Sequence, residues 1–432
     1  MLSAFAQAFR TPDLRRKLLF TLFIMALFRA GTFVPSPGVS IHNINQCMAQ
    51  SGGAGLLDLV NLFSGGALLQ LSVFALGIMP YITASIIIQL LRVVVPRFDD
   101  LHKEGQTGQA KLTQYTRYLT IFLSVMQATG FISLARSGNL FPGCQEKIIP
   151  NDTVWTMILM IIVMTAGSSV IMWLGEFITS KGIGNGMSLL IFTSIIARLP
   201  AQLWGIATTA DNGVIKVLGI IALIMAITIA IVFVEQAMRR IPVQYAKRMV
   251  GSRSYGGTST YIPIKINMSG VIPVIFSTSI LAMPMMAAQF AGNNSEWALW
   301  IQRYFHQQSW VYMVLDAILI IFFCFFYTQI TFDPAEVADN MKKYGGFVPG
   351  VRAGKPTEDL LRYVINRITT AGSLYLVLVA LIPVLVLIPM GISNHQLPFG
   401  GTTLLIIVGV GLQTVKEVNA QLRQHHYEGF LR

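Results

Sequence analysis

Charge is the first thing this chain has little of. Only 12% of its 432 residues are charged, against about 25% in an ordinary globular chain. The shortage is uneven: 19 acidic residues face 31 basic ones. Cysteine is scarce too. Cys47, Cys144 and Cys324 are all there is, and none stands in a CxxC pair, so a metal or redox framework is not expected. There is no HExxH, no GxSxG and no Walker loop, and the six histidines (His42, His102, His306, His395, His425, His426) fall in loops or the tail. Together these absences argue against a catalytic constellation and against a cofactor.

What is present is apolar: 54% of the residues are hydrophobic. They form continuous runs rather than alternating ones, which excludes a β-barrel and predicts an all-α polytopic membrane protein. A membrane span needs about 20 mostly apolar residues. Ten stretches meet or approach that: 18–34, 71–91, 118–134, 154–174, 183–203, 214–234, 271–288, 311–330, 371–390 and 404–415. With ten spans both termini share a side. That side carries 25 of the 31 Lys and Arg, and the other only Arg136, Lys147, Arg198 and Arg303, while Arg29 and Lys216 lie in or beside spans. The positive-inside rule then places both termini in the cytoplasm. No cleavable signal is expected, because the first apolar run leads into PSPG. Cys47 and Cys144 both fall in outer loops. Two unpaired thiols are the favoured reading there, a disulfide the other.

The stretch 61–92, NLFSGGALLQLSVFALGIMPYITASIIIQLLR, is apolar yet broken by Ser64, Gly65, Gly66, Gly77 and Pro80. Irregular backbone at membrane depth is tolerated only where it is buried in protein or lines a watery cavity. A half-helix, a bend and a spanning helix over 71–91 are predicted. On that helix Ile78 and Ile82 share a face to which Ser85 and Gln89 return. Such a face is either helix packing with polar glue or a pore wall, apolar at a constriction and wetter toward one mouth.

Acidic residues are nearly absent from the spans, Asp316 near an outer end being the main exception. Ion-coupled transporters usually place carboxylates at the midplane. For Arg29, snorkelling to the outer interface is the favoured reading, an inter-helix or subunit contact the alternative. GIGNG, 182–186, is a tight start to a helix or a functional turn. Two inner loops, 235–270 and 331–370, mix Lys and Arg with aromatics, glycines and prolines. They are either juxtamembrane charge held by anionic lipid or shaped docking loops for an acidic partner. The first also carries a strand-like segment, TSTYIPIKI.

Several long motifs, in order, resemble the SecY family, the channel subunit of the bacterial protein translocase. They are FSGGALLQLSVFALGIMPYITASIIIQLL, QYTRY from Gln114, MWLGEFITSKGIGNGMSLLIF from Met172, RRIPVQYAKR from Arg239, IPIKINMSGVIPVIF from Ile262, FFCFFYTQI from Phe322, DPAEVADNMKKYGGFVPGVRAGKPT from Asp333 and GGTTLLIIV from Gly400. The resemblance implies two pseudo-symmetric halves, 1–204 and 205–418, around an hourglass pore, followed by a tail at 419–432. It implies a plug over 59–71, with Phe63, Ser64, Gly65 and Gly66. It puts a pore ring on Ile78, Ile82, Met187, Ile191, Ile275 and Ile406, with Met187 departing from the usual isoleucine. A lateral gate would lie between the second and third spans on one side and the seventh and eighth on the other, with Gln89 and Asn267 in the seam. For Asn267, capping of the seventh span is the alternative.

The same resemblance implies a passive channel in the bacterial cytoplasmic membrane that conducts unfolded secretory polypeptides across it and releases signal sequences and membrane helices sideways into lipid. The implied companions are the small membrane subunits SecE and SecG. The motor ATPase SecA, or a ribosome touching through rRNA phosphates, would dock on the inner loops at Arg352, Lys247, Arg248 and Arg253. A secondary transporter for a small solute is the rival reading. The missing midplane carboxylates and the large inner loops favour the channel.

Overall fold

The computed structural model describes residues 9–51, 61, 64–136, 138, 140, 144, 148–150, 152–209, 213–245, 248–250, 253–255, 259–291, 295–305, 309–387 and 401–428. Each of the ten predicted spans falls on a helix. In chain order, α1 (Pro12–Gly31) is followed by a short outer helix α2 (Ile41–Ser51). The second span is α3 (Met79–Val94), and the surface helix α4 (Pro96–Lys103) turns from it by 100°. Then come α5 (Gln106–Arg136), α6 (Val154–Lys181), α7 (Gly186–Thr209) and α8 (Gly213–Gln236). After an inner β-segment, α9 (Ile272–Ala291), an outer helix α10 (Glu296–Tyr304), α11 (Trp310–Thr331) and a surface helix α12 (Pro334–Lys343) lead to α13 (Lys355–Leu387) and α14 (Gly401–Glu428). Large side chains such as Phe23, Trp173, Phe233 and Trp310 are exposed on the outward faces of these helices. In water that exposure would be prohibitive, but in lipid it costs nothing.

Helix ends depart from the predicted spans where a helix leaves the bilayer. Hydropathy marks only the lipid-buried part, 118–134 and 371–390, whereas α5 starts at Gln106 and α13 at Lys355. The longer helices take in Glu176 and Glu235, both near the basic side and both engaged. Glu176 receives two hydrogen bonds from Arg117, at 2.9 and 2.6 Å, which tie α6 to α5. Glu235 accepts from Asn267 Nδ2 at 2.5 Å. On α4, Lys103 lies 2.7 Å from Asp99, and this hydrogen bond holds the Asp99 carboxyl below its ordinary range.

The prediction for the second span needs correcting. The helix begins at Met79, not at Leu71, and the described residues 64–78 run as successive turns, not as a half-helix. The backbone explains this. Gly65, Gly66, Leu71 and Gly77 all have positive φ (68°, 94°, 44° and 56°), a conformation that ends regular helix. Of the earlier part of the expected half-helix, Asn61 is helical, and Phe63 lies outside the described residues.

The two inner loops are joined. The strands β1 (Met238–Tyr245), β4 (Ser259–Lys265) and β5 (Gly346–Phe347) form one sheet in the order β4-β1-β5, with β2 (Arg248–Val250) and β3 (Arg253–Tyr255) forming a separate hairpin between β1 and β4. Strand β1 pairs antiparallel with β4 from Met238↔Lys265 to Gln244↔Ser259, and with β5 at Gln244↔Phe347 and Tyr245↔Gly346. The inward residues Ile241, Val243 and Ile264 bury with Met341, Val348, Leu361 and Ile365 in a core of their own. The strand-like TSTYIPIKI is thus a real strand, and 235–270 and 331–370 make one platform.

The outer side holds a further correction. Cys47 and Cys144 are not free thiols but a disulfide, with Cα atoms 5.3 Å apart. The reason is α2, a helix that hydropathy does not reveal. It turns Ile44 and Cys47 inward, both fully buried, against Leu140, Ile148 and Ile149 of the α5–α6 connection.

Candidate functional site

The site is built around the turns at 64–78. Ser64 Oγ donates to Asn61 O (3.1 Å) and accepts from Leu68 N (3.2 Å), while Asn61 Oδ1 accepts from Leu69 N (3.4 Å). Short polar side chains thereby satisfy backbone that no helix serves. The segment is also stitched to the chain leaving α1: Ser36 N donates to Leu71 O (3.1 Å) and Val73 N to Val34 O (2.9 Å), around an isolated bridge between Pro35 and Ser72. Leu68, Leu71 and Leu76 are completely buried. Three polar atoms in this seat, Ser36 Oγ, Asn61 Nδ2 and Ser72 Oγ, are buried without a hydrogen-bond partner.

Arg29 adds the strongest single tie. Its Nη1 donates to Gly65 O at 2.6 Å and also reaches Thr32 Oγ1 at 3.4 Å, and the guanidinium lies 4.6 Å from the Phe33 ring centroid. Of the sequence readings, a contact within the protein is the one seen, though it is to the broken segment and not to another helix or subunit. On the next residue, a Cβ at Gly66 would stand 3.5 Å from Arg198 Nε, so this arginine of α7 also borders the segment.

All six expected ring residues belong to, or pack against, one extended apolar cluster that also holds these turns. Ile78, Ile82, Ile191 and Ile406 are buried in the same apolar cluster as Leu68, Leu71 and Leu76, and Met187 and Ile275 pack against it from partly buried positions. They come from α3, α7, α9 and α14, so both halves of the chain contribute. Ile78 is the residue before α3, and the bond from Ile82 N to Ile78 O (3.1 Å) keeps the two in the i,i+4 relation. Met187 is set by close packing of helix starts. A Cβ on Gly175 of α6 would overlap the Met187 sulfur, and one on Gly186 would strike the Gly175 carbonyl. Asn185 Oδ1 accepts from Met187 N (3.1 Å) and Ser188 N (3.4 Å), and Thr179 Oγ1 accepts from Gly186 N (2.9 Å). GIGNG is therefore a tight helix start, and its effect is to place Met187.

The two expected seam residues sit in different surroundings. Gln89 is half-buried and lines a recess of about 450 Å³ with Ser85, Arg92, Gln109 and, from α11, Tyr327 and Thr331. Asn267 is buried and turned toward α8: Nδ2 donates to Glu235 Oε1 and to Gly270 O (3.0 Å), and Oδ1 accepts from Ser269 Oγ (3.1 Å). It is a tie between α8 and the approach to α9 rather than a cap on α9. Asp316, the acidic exception, is buried and accepts a short hydrogen bond from Ser277 Oγ, which links α11 to α9.

On the platform Arg352 is exposed, in a turn whose Gly350 and Gly354 have φ of 86° and 104° and whose carbonyl accepts from Thr357 Oγ1 at 2.9 Å. Arg240 stacks 4.9 Å over Tyr261 on the neighbouring strand. Arg248 and Arg253 lie on β2 and β3, and Lys247 lies outside the described residues. Sequence reasoning missed Arg29 as a tie to the broken segment, the only sequence sign being its place in an otherwise apolar run. Among the described residues, no three His, Cys, Asp or Glu come together as metal ligands.

A helical membrane protein whose broken segment is buried in an apolar cluster fed by helices from both ends of the chain fits a class, the polypeptide-conducting channels. Comparison with known proteins narrows it. The family model for SecY matches residues 72–415. The "Protein translocase subunit SecY" of Streptomyces galbus is 58% identical over 438 residues, covering all of both chains. That of Mycobacterium tuberculosis strain H37Rv is 53% identical over 443 residues, again end to end. The chain belongs to the SecY family. Among solved structures, one described as "The structure of a protein conducting channel" superposes with a TM-score of 0.63 at 19% identity, covering 94% of this chain and 91% of that one. Sec61 in a canine ribosome-channel complex from the endoplasmic reticulum superposes at 0.61 and 18%, with the same coverage. These two share the fold.

Proposed function

We propose that this chain is the central, passive pore of a bacterial protein translocase, conducting unfolded polypeptides across the cytoplasmic membrane and releasing apolar segments sideways into it. The observation that supports the reading is that Ile78, Ile82, Met187, Ile191, Ile275 and Ile406 all belong to, or pack against, the one apolar cluster that also buries the turns at 64–78. Aliphatic side chains offer a passing chain neither hydrogen bonds nor fixed charge. They part for many sequences and, re-closed, exclude water and ions. The segment 59–71, tied by Arg29 to Gly65 O and by Ser36 N to Leu71 O, acts as the plug. The halves 1–204 and 205–418 act as the jaws.

The exit into lipid is the seam where α9 touches α3 and α5, and Gln89 lies in the polar recess at its inner mouth. The sheet-built platform docks the driving partner, SecA or a ribosome, through Arg352 and the β2–β3 arginines. SecE and SecG complete the membrane complex, and work comes from the partner, since the chain has no nucleotide-binding loop and is not itself an enzyme. The termini lie in the cytoplasm. Two independent features support that orientation. One is the Lys and Arg bias, and the other is the disulfide on the opposite side, where an oxidising medium belongs.

The test is ion conductance across bilayers holding the purified complex, intact and with 59–71 deleted. Silence of the intact complex with transient conduction by the deletion is expected. Saturable flux of one small solute through both would overturn the pore in favour of a transporter.

A further inference from the structure

The platform and the seam share a root. Strands β1 and β4 continue directly into membrane helices: β1 follows α8, and β4 runs through residues 266–271 into α9. The ladder between the two strands starts at Met238↔Lys265 and is extended one step toward the membrane by Ile266 N, which donates to Ala237 O at 3.2 Å. Beyond that step a side-chain bond spans the same two legs. Asn267 Nδ2 donates to Glu235 Oε1 at 2.5 Å, a rung from the end of α8 to the approach of α9. The second hydrogen of the same amide goes to Gly270 O at 3.0 Å. Gly270 has a φ of 62°, so Asn267 also braces the left-handed bend from which α9 starts. On its other side Asn267 Oδ1 accepts from Ser269 Oγ at 3.1 Å. That hydroxyl has a single hydrogen, so Cys324 Sγ of α11, 3.3 Å away, donates to it. Behind the rung Lys416 Nζ of α14 donates to Glu235 O at 3.4 Å, and a Cβ on Gly372 of α13 would stand 2.7 Å from Ile266 O.

We propose that Glu235 and Asn267 are positioning residues that couple docking to opening: their hydrogen bond stiffens the root of the β1–β4 hairpin, so that a partner pressing on the platform moves α9 in the seam. The inference rests on the platform and seam readings above. Two hydrogen-bonded strands in register move as one body. Below the ladder that stiffness ends, and Gly270, free of a Cβ, is the pivot at which a displaced hairpin would bend. Without the rung the bend absorbs the displacement and α9 stays where it was. With the rung, hairpin and helix turn together. Helix α9 then carries Ile275 and Phe276 with it, the residues it contributes to the apolar cluster shared with α3 and α5. Burial keeps the rung firm: Asn267 is only 4% exposed, so water does not compete for its amide.

The experiment places the complex with the full chain in vesicles and reads transport of a secretory precursor against the concentration of the motor ATPase. In Asn267→Ala the maximal rate should fall about tenfold, the scale of one lost hydrogen bond to a charged group. The half-saturating motor concentration should stay at the parent value. A docking residue behaves differently: Arg352→Glu should lose motor binding itself. Glu235→Gln keeps an oxygen that can accept from Asn267 and should retain most of the rate. A parental maximal rate in Asn267→Ala would overturn the coupling. So would a raised half-saturating concentration, which would assign the rung to docking. Equal losses in Glu235→Gln and Asn267→Ala would overturn it too, by tracing the effect to the charge and not to the rung. Thermal unfolding is run on each variant. Should Asn267→Ala fail to fold, Glu235→Ala, which removes the acceptor instead, takes its place, and failure of both would make the rung a purely structural tie and overturn the proposal. A parent complex that transports no precursor would remove the pore reading, and the coupling with it.

Discussion

Arg29 offers the sharpest single perturbation. Its guanidinium holds Gly65 O at 2.6 Å and stacks on Phe33, a ring that is itself 59% exposed. A hydrogen bond from a charged donor contributes about 1.5–3 kcal/mol, and an exposed cation–π contact about 0.5–1 kcal/mol. Only the first differs between a seated and an unseated plug, because Phe33 and Arg29 stay neighbours in sequence whatever the plug does. Arg29→Ala should therefore weaken closure by about 2 kcal/mol, roughly 30-fold in the closed-to-open ratio. Arg29→Lys keeps a charge that can point at the same oxygen but loses the planar guanidinium that lets Nη1 serve Gly65 O and Thr32 Oγ1 while the group stacks on Phe33, and it should fall between parent and alanine. The assay is open probability of single complexes in a planar bilayer, with no translocating chain and no motor. A thermal unfolding curve run alongside separates a loosened plug from a damaged protein. Resting openings of Arg29→Ala indistinguishable from the parent, with the variant folded, would refute the reasoning.

The remaining predictions concern packing, the ring and the platform. Gly186→Ala should destabilise by about 1–3 kcal/mol through overpacking, because its new Cβ would meet the Gly175 backbone, whereas Gly205→Ala, with nothing within 4 Å, should be neutral or better; thermal unfolding ranks the two. Ile82→Asn or Ile191→Asn should leave the fold standing but make the closed channel leak small ions, read as conductance with the plug in place. Arg352→Glu should abolish motor-driven transport of a secretory precursor into vesicles while leaving resting conductance unchanged. Equal loss in both assays would make Arg352 a structural residue instead.

The spans were legible because lipid imposes one simple demand on sequence: a run of apolar residues long enough to cross. The same rule explains what it missed. The inner ends of α5 and α13 are helical but wet, so their charges hide them from hydropathy. Gly65, Gly66 and Gly77 marked the broken segment, yet the glycines say only that regular helix stops. That residues 64–78 turn along the exit of α1 depends on hydrogen bonds to Val34 and Ser36, which no local pattern encodes. The pairing of β5 with β1 joins positions about a hundred residues apart, and a two-residue strand leaves no signature. The disulfide was misjudged for a related reason. Its geometry is set by α2, whose sequence IHNINQCMAQS reads as polar loop until Ile44 and Cys47 are seen to share an inward face. Asn267 is the reverse case. Its residue type left a seam residue and a cap both open, and Glu235, carried to it by the end of α8, takes its amide.

One consequence follows from which atom of the plug Arg29 grips. The acceptor is a main-chain oxygen, the one chemical group that every amino acid brings in identical form. A lock keyed to the backbone cannot read spelling. The letters of the plug can be rewritten, and the arginine will still close on it, provided the new text bends at the same place. What must be inherited at residues 65 and 66 is a shape, and the freedom to vary everything else is what allows such a stopper to drift in composition while the door behind it stays shut.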